Sequence, residues 1–188
     1  GSDYHLSSQS AAISAGADQL SINNVTYTAP AKDMDGVARP NPAGTTLDLG
    51  AYEHENGVGP YDGPVWYVNG AEALPYGNGS VSAPYSMISS AIGAAADGDS
   101  ITVAAGTYFE NINFNGKNIK VVGEDSSNTI LDGGLAGSVV TFEIGNGAES
   151  TTPVLKGFTL QNGRAQNGGG INIEYTHPEI SFVTIKAC

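Results

Sequence analysis

The chain has 188 residues and 26 glycines, about twice the ordinary share, while charged residues make up only 14%. With 19 acidic residues against 7 basic ones, the net charge of −12 repels phosphate backbones and argues against a nucleic-acid partner. Low charge beside 40% apolar content excludes a highly charged disordered chain and a coiled coil, and no run of about 18 apolar residues spans a bilayer.

Gly1-Ser2 reads as an expression scar, so the chain is expected to begin inside a longer protein. Cys188 is the only cysteine, which removes any intrachain disulfide. Abundant Gly, Ser, Thr, Asn and Tyr with an acidic balance suit an extracellular or surface protein of a bacterium. Residues 3–56 show little regular pattern and heavy punctuation, as in Ala29-Pro30, Asp35-Gly36 and Arg39-Pro40-Asn41-Pro42. Residues 57–64, Gly-Val-Gly-Pro-Tyr-Asp-Gly-Pro, read as a linker, so a module boundary is expected between 1–56 and 65–188.

Residues 84–96 carry the one helical pattern. Ile88, Ala91, Ile92 and Ala95 share a face at the i, i+3, i+4, i+7 spacing, with Pro84 suited to a first turn and Gly98 to a stop. The apolar face is narrow and built of small residues, so this helix is expected to lie flat over the end of something.

Beyond it the chain turns to short apolar runs separated by Gly, Asn and Asp. They are residues 101–103, 112–114, 119–122, 129–131, 139–142, 155–160, 171–173 and 180–185, each with strand composition. Phe158-Thr159-Leu160 and Val183-Thr184-Ile185 echo each other 25 residues apart, a period that suggests the coils of a solenoid. An antiparallel sandwich would want longer strands and two-residue hairpin turns.

Residues 66–188 resemble the opening of a right-handed parallel β-helix of the pectate-lyase-like superfamily. The resemblance rests on Trp66-Tyr67-Val68-Asn69, on Ala83-Pro84-Tyr85-Ser86-Met87-Ile88, and on the series from Asp97-Gly98-Asp99 to Ala105-Gly106-Thr107-Tyr108. It continues through Glu110-Asn111-Ile112, Gly116-Lys117-Asn118-Ile119, Thr129-Ile130-Leu131-Asp132-Gly133, Gly157-Phe158-Thr159-Leu160 and Gly168-Gly169-Gly170-Ile171. It implies a mainly β fold: a short N-terminal cap helix followed by the first few coils, after an irregular N-terminal segment. Residues 6–53 are similar to the closing segment of such a helix, through Ser10-Ala11-Ala12-Ile13, Asp33-Met34-Asp35-Gly36 and Asp48-Leu49-Gly50-Ala51-Tyr52-Glu53. Ala12 stands where that pattern has Pro. The order, an end followed by a beginning, implies a junction between tandem modules. Phe158 to Gln161 and the Gly-Gly-Gly-Ile run also resemble repeats of chlamydia-type polymorphic outer-membrane adhesins, with Gln161 where those repeats carry Asn.

Pectate lyases of this superfamily use carboxylate-bound calcium with an Arg or Lys base. Arg164 lies in a Gly-Asn-rich turn beside no Asp pair, so a solvated turn residue is the favoured reading. Asp33-x-Asp35-Gly36 is similar to the first half of a calcium loop, and Asp48 and Glu53 could return as further ligands; the plain alternative is an Asp-Gly turn with local capping. His5, His54 and His177 are dispersed without metal-ligand spacing. Tyr61, Trp66, Tyr67, Tyr76 and Tyr85 could stack on sugar rings, although stapling the linker and cap onto the first coil is favoured.

These readings lead to a non-catalytic structural or adhesive module of a large secreted or cell-surface bacterial protein, with polysaccharide or a cell-surface glycan as partner. The alternative, which leaves enzymatic activity open, is a fragment of a polysaccharide lyase or glycoside hydrolase. No cofactor is expected apart from calcium. Self-association is expected through the open end of the coils, where Phe182, Val183 and Ile185 would be bare.

Overall fold

The computed structural model describes residues 10, 12–13, 15–22, 25–40, 46–49, 54, 58–73, 77–144 and 152–188. The chain divides into two compact units, Gly1–Tyr61 with Leu74–Asn78, and Asp62–Ala73 with Gly79–Cys188.

In the first unit, β1 (Gln19–Ile22) and β2 (Val25–Thr28) form an antiparallel hairpin with Gln19 opposite Thr28 and Ile22 opposite Val25. This corrects the expectation of an irregular segment. Both strands are exposed along their length, so no buried face imprints a strong apolar alternation on the sequence. Ile13 and Leu47 are buried, and backbone bonds from Gly16 N to Leu47 O and from Leu49 N to Ala12 O tie their two segments together.

Among its described residues the second unit is mainly β, with one helix, and its sheets are parallel. Its strands are β3 (Val65–Val68), β4 (Ser100–Val103), β5 (Gly106–Tyr108), β6 (Ile112–Asn113), β7 (Lys120–Gly123), β8 (Thr129–Asp132) and β9 (Val140–Glu143). β10 (Val154–Gln161), β11 (Ile171–Glu174) and β12 (Glu179–Lys186) complete it. Every apolar run singled out after the helix contains a strand. β3 and β5 are additional, and β5 is too short to show a run.

Among the described residues the strands stack in three parallel ladders. One runs β3-β4-β7-β10, a second β5-β8-β10, and a third β6-β9-β11. β10 serves the first two ladders in succession, and β12 pairs along β10 across both. The chain therefore visits the ladders in one order: β4, β5, β6, then β7, β8, β9, then β10, β11, then β12. The 25-residue echo is a physical register, since Phe158 pairs with Val183, Thr159 with Thr184 and Leu160 with Ile185.

Period-two alternation sends every second residue inward and stacks like on like. Trp66, Ile101, Val121, Leu155 and Ile180 form one such row; Tyr108, Leu131, Leu160 and Ile185 form another. In the third ladder the Phe114 and Phe142 rings pack with centroids 4.3 Å apart. Each fully buried aliphatic or Phe side chain contributes about 1.5–3 kcal/mol, so these rows hold the unit together. The rows share one feature at their far end. Leu155, Leu160 and Phe142 are fully buried, yet their partners Ile180, Ile185 and Ile173 are 36%, 52% and 48% exposed.

The opposite end is covered. Helix α1 (Ile88–Ala94) buries Ile88, Ala91 and Ile92 and packs on β3, β4 and β6. It begins later than the expected residue 84 because Tyr85 is recruited by β3. Tyr85 N donates to Tyr67 O at 2.9 Å, and Tyr85 O accepts from Asn69 N at 2.9 Å. That pairing occupies an otherwise bare edge of β3 and keeps residues 84–86 extended. At the other limit, Ala95 already has extended φ and ψ, ahead of Gly98.

Candidate functional site

Of the aromatic residues singled out in the sequence, Trp66, Tyr67 and Tyr85 lie in the second unit. Trp66 is only 4% exposed; its indole N–H donates to Asp99 Oδ2 at 2.8 Å, and the same oxygen accepts from Ala96 N at 2.9 Å. The Tyr85 ring stacks on Trp66 with centroids 6.2 Å apart and planes 15° from parallel, and burial pushes the Tyr85 hydroxyl pKa up. Gly79, at φ +84°, lies against both rings: a methyl group there would stand 2.6 Å from Tyr85 and 2.7 Å from Trp66. Trp66 and Tyr85 thus staple β3 to the extended stretch before α1. Tyr61 is half-buried in the first unit, and Tyr76 lies outside the described residues.

Tyr67 differs. Alternation along β3 points it away from Trp66, to the outer face, where it lines a shallow hollow of about 300 Å³. Asn69, Glu72, Thr102 and Glu124 supply its polar lining, and Val81 and Pro84 are among its apolar lining residues. Glu72 Oε2 accepts from Asn69 Nδ2 at 3.0 Å, and Glu124 Oε2 accepts from Ala105 N at 3.1 Å, which orients both carboxylates. A carboxylate has about four acceptor sites, so each retains capacity for a ligand hydroxyl. A half-exposed aromatic ring, two oriented carboxylates and a threonine hydroxyl suit a polyhydroxylated, uncharged ligand. A polyanion would meet two negative groups.

Of the acidic residues considered for calcium, Asp33 and Asp48 accept hydrogen bonds from the chain's own backbone. Asp33 Oδ1 accepts from Asp35 N at 2.9 Å and Val37 N at 2.8 Å, with Gly36 at φ +83°, which is a capped Asp-Gly turn. Asp48 is buried, and its Oδ2 accepts from His54 N at 2.6 Å. Glu53 lies outside the described residues. Among the described residues no three His, Cys, Asp or Glu side chains assemble into a group able to hold a metal ion. Arg164 is exposed, and its backbone N–H donates to Gly137 O at 2.8 Å. Among the described residues no helix is long and apolar enough to cross a membrane.

Three charged residues without an assigned role in the sequence turn out to organise the capped end: Asp99, Glu110 and Lys117. The Glu110 carboxylate accepts from Ile88 N at 2.8 Å and Ser89 N at 2.9 Å. The Lys117 ammonium donates to the carbonyls of Ile92, Gly93 and Ala95 at 2.6–2.9 Å. No local spacing signals either contact. The polar cluster at the end of the second ladder is also new: Asp132 accepts from Gln161 Nε2, Asn162 Nδ2 and Gly134 N, each at 2.8–2.9 Å. These bonds, the Gln161 side chain's first, hold its carboxyl below the usual carboxylate range. No protein-family model matches the chain, and no curated protein or solved structure matches it either.

Proposed function

We propose that residues 65–188 are the capped start of a right-handed parallel β-helix, and that the chain is a structural and adhesive module of a secreted or cell-surface bacterial protein. The register carries this reading. The chain returns to the same ladders in the same order, one end is sealed by α1, and the other presents bare positions in line with buried ones. Such an arrangement elongates by adding further passes, the behaviour of a stalk. Residues 1–56, on this reading, close a preceding module. The hollow at Tyr67 supplies the adhesive element, and its two carboxylates favour neutral glycans over uronate polymers.

Binding to a panel of neutral and acidic polysaccharides tests the proposal. The expected result is calcium-independent binding to a neutral polysaccharide that Tyr67→Ala weakens about tenfold, with the unfolding midpoint retained. Absence of binding across the panel would overturn the adhesive reading. Release of unsaturated products absorbing in the near ultraviolet from a uronate polymer would instead establish a lyase.

A further inference from the structure

A second hollow of the same unit, of about 510 Å³, adjoins the one at Tyr67, and the two are lined by neighbouring residues of the same stretches of chain. Asn69 and Glu72 line the first, while Gly70 and Ala71 line the second. Pro84 lines the first, Ser86 and Met87 the second; Ala104 ends the first and Ala105 begins the second. The residues at the divide are small: Gly70, Ala71, Ala104 and Ala105. We infer that the two hollows are one track for an unbranched, uncharged oligosaccharide, running from Tyr67 along the direction of β4 and β5 to Phe109.

The second hollow has the groups such a ligand needs. Phe109 and Met87 both line it and are 78% and 46% exposed, so an aromatic ring and a thioether stand ready to be covered by the apolar face of a sugar. Polar partners come from the strand itself, because β5 is the last strand of its ladder among the described residues. Gly106 N donates to Asn128 O at 2.8 Å, toward β8, and alternation turns the N–H and C=O of Thr107 to the opposite edge. One donor beside one acceptor suits ligand hydroxyls, which do both. A single such pair is too little to hold an added peptide strand. Glu110 lines the second hollow as Glu72 and Glu124 line the first, so carboxylates border the whole track and oppose a uronate.

The divide is held in place before any ligand arrives. Asn69 Oδ1 accepts from Ala71 N at 3.1 Å and Glu72 N at 3.3 Å, and the Tyr108 hydroxyl donates to Ala104 O at 2.9 Å. Gly70 lies on the Tyr108 ring, where a methyl group would stand 3.5 Å away. Such a surface has little ordering left to do on binding. Phe109 lies seven residues after Thr102, so the path is at most ~25 Å, longer than one sugar ring. The competing direction runs up the ladder through the outer row Tyr67, Thr102, Val122 and Lys156, a row with no second aromatic ring.

This inference rests on the glycan reading of the Tyr67 hollow and adds the length and direction of the ligand. The probes are cello- and manno-oligosaccharides of two and six units, titrated into the nitrogen-labelled full chain and followed through its amide resonances. In at least one series, six units are expected to bind about tenfold more tightly than two, with shifts spreading from residues 67–69 to Gly70, Ala105 and Thr107. Phe109→Ala should abolish that gain and leave the two-unit affinity unchanged, whereas Tyr67→Ala should weaken both and Lys156→Ala neither. Phe109 is exposed, so its replacement should retain the unfolding midpoint. Equal affinity for two and six units, or a gain that survives Phe109→Ala, overturns the track and leaves the Tyr67 site standing. A gain abolished by Lys156→Ala instead places the ligand up the ladder and also overturns it. Failure of both series to bind overturns the track as well; the polysaccharide panel then decides the adhesive reading separately.

Discussion

Glu110 and Lys117 hold opposite ends of the same seven-residue helix, the carboxylate on two free N–H groups and the ammonium on three carbonyls. A helix this short is not stable by propensity, and its N-cap residue, Met87, offers no side-chain acceptor. Both charges also match the helix dipole, which is positive at the N-terminus and negative at the C-terminus.

Removing either clamp is therefore expected to loosen the sealed end. Glu110→Ala should cost about 2 kcal/mol and Lys117→Met about 1–2 kcal/mol, as losses of charge-assisted hydrogen bonds to a helix terminus. Urea denaturation gives the values; losses below about 0.5 kcal/mol in both would show that α1 is held by Ile88, Ala91 and Ile92 alone.

Trp66 is the only tryptophan, so its fluorescence reports one place in the molecule. Its emission should be blue-shifted and poorly quenched by acrylamide. Asp99→Ala leaves the indole N–H and the Ala96 N–H without their shared acceptor, at an expected cost of about 2 kcal/mol, with a change in emission. Unchanged emission and stability would count against that pairing.

Gly157 marks the corner of β10 with φ +80°, and a methyl group there would stand 2.6 Å from Gly123 O. Gly157→Ala should therefore destabilise by more than about 2 kcal/mol. Gly98, at φ +93°, faces open space and serves as the control: Gly98→Ala should cost only the backbone strain, about 1 kcal/mol. Equal losses at the two sites would contradict the close approach.

Asp132 makes stability depend on acid pH. Its carboxyl is lowered by the Gln161 side chain, the Gly134 N–H and the Asn162 side chain, so the folded pKa lies below the unfolded value of about 3.9. The contribution is fully present above that unfolded value and disappears as pH falls through the folded one. Stability of the wild type should therefore drop more steeply as pH falls below about 4 than that of Asp132→Asn. Parallel pH profiles for the two proteins would remove Asp132 from the account.

The parts of this molecule readable from sequence are those with a local or periodic cause. The Phe158 and Val183 echo is readable because stacked ladders demand like residues at equivalent positions. The helix is readable from Ile88, Ala91 and Ile92, but its start is not, because Tyr85 is claimed by a strand earlier in the chain. Trp66 reads equally as a sugar platform or a staple until Asp99, 33 residues on, is seen to take its N–H. Glu110 and Lys117 act across 21 to 25 residues, a distance over which no short pattern survives. The β1–β2 hairpin is faint because neither strand has a buried face to mark it.

Ser100, Lys120, Val154 and Glu179 occupy successive equivalent positions in the first ladder, although the lengths of chain between them are unequal. Register here is set by which side chain stacks on which, independently of how much chain is spent between visits. Segments leaving one ladder and entering the next can then lengthen, shorten or change composition while the inward rows stay in place. The molecule behaves like a bound stack of pages with margins of any width, and new recognition surfaces can be written in those margins without resetting the spine.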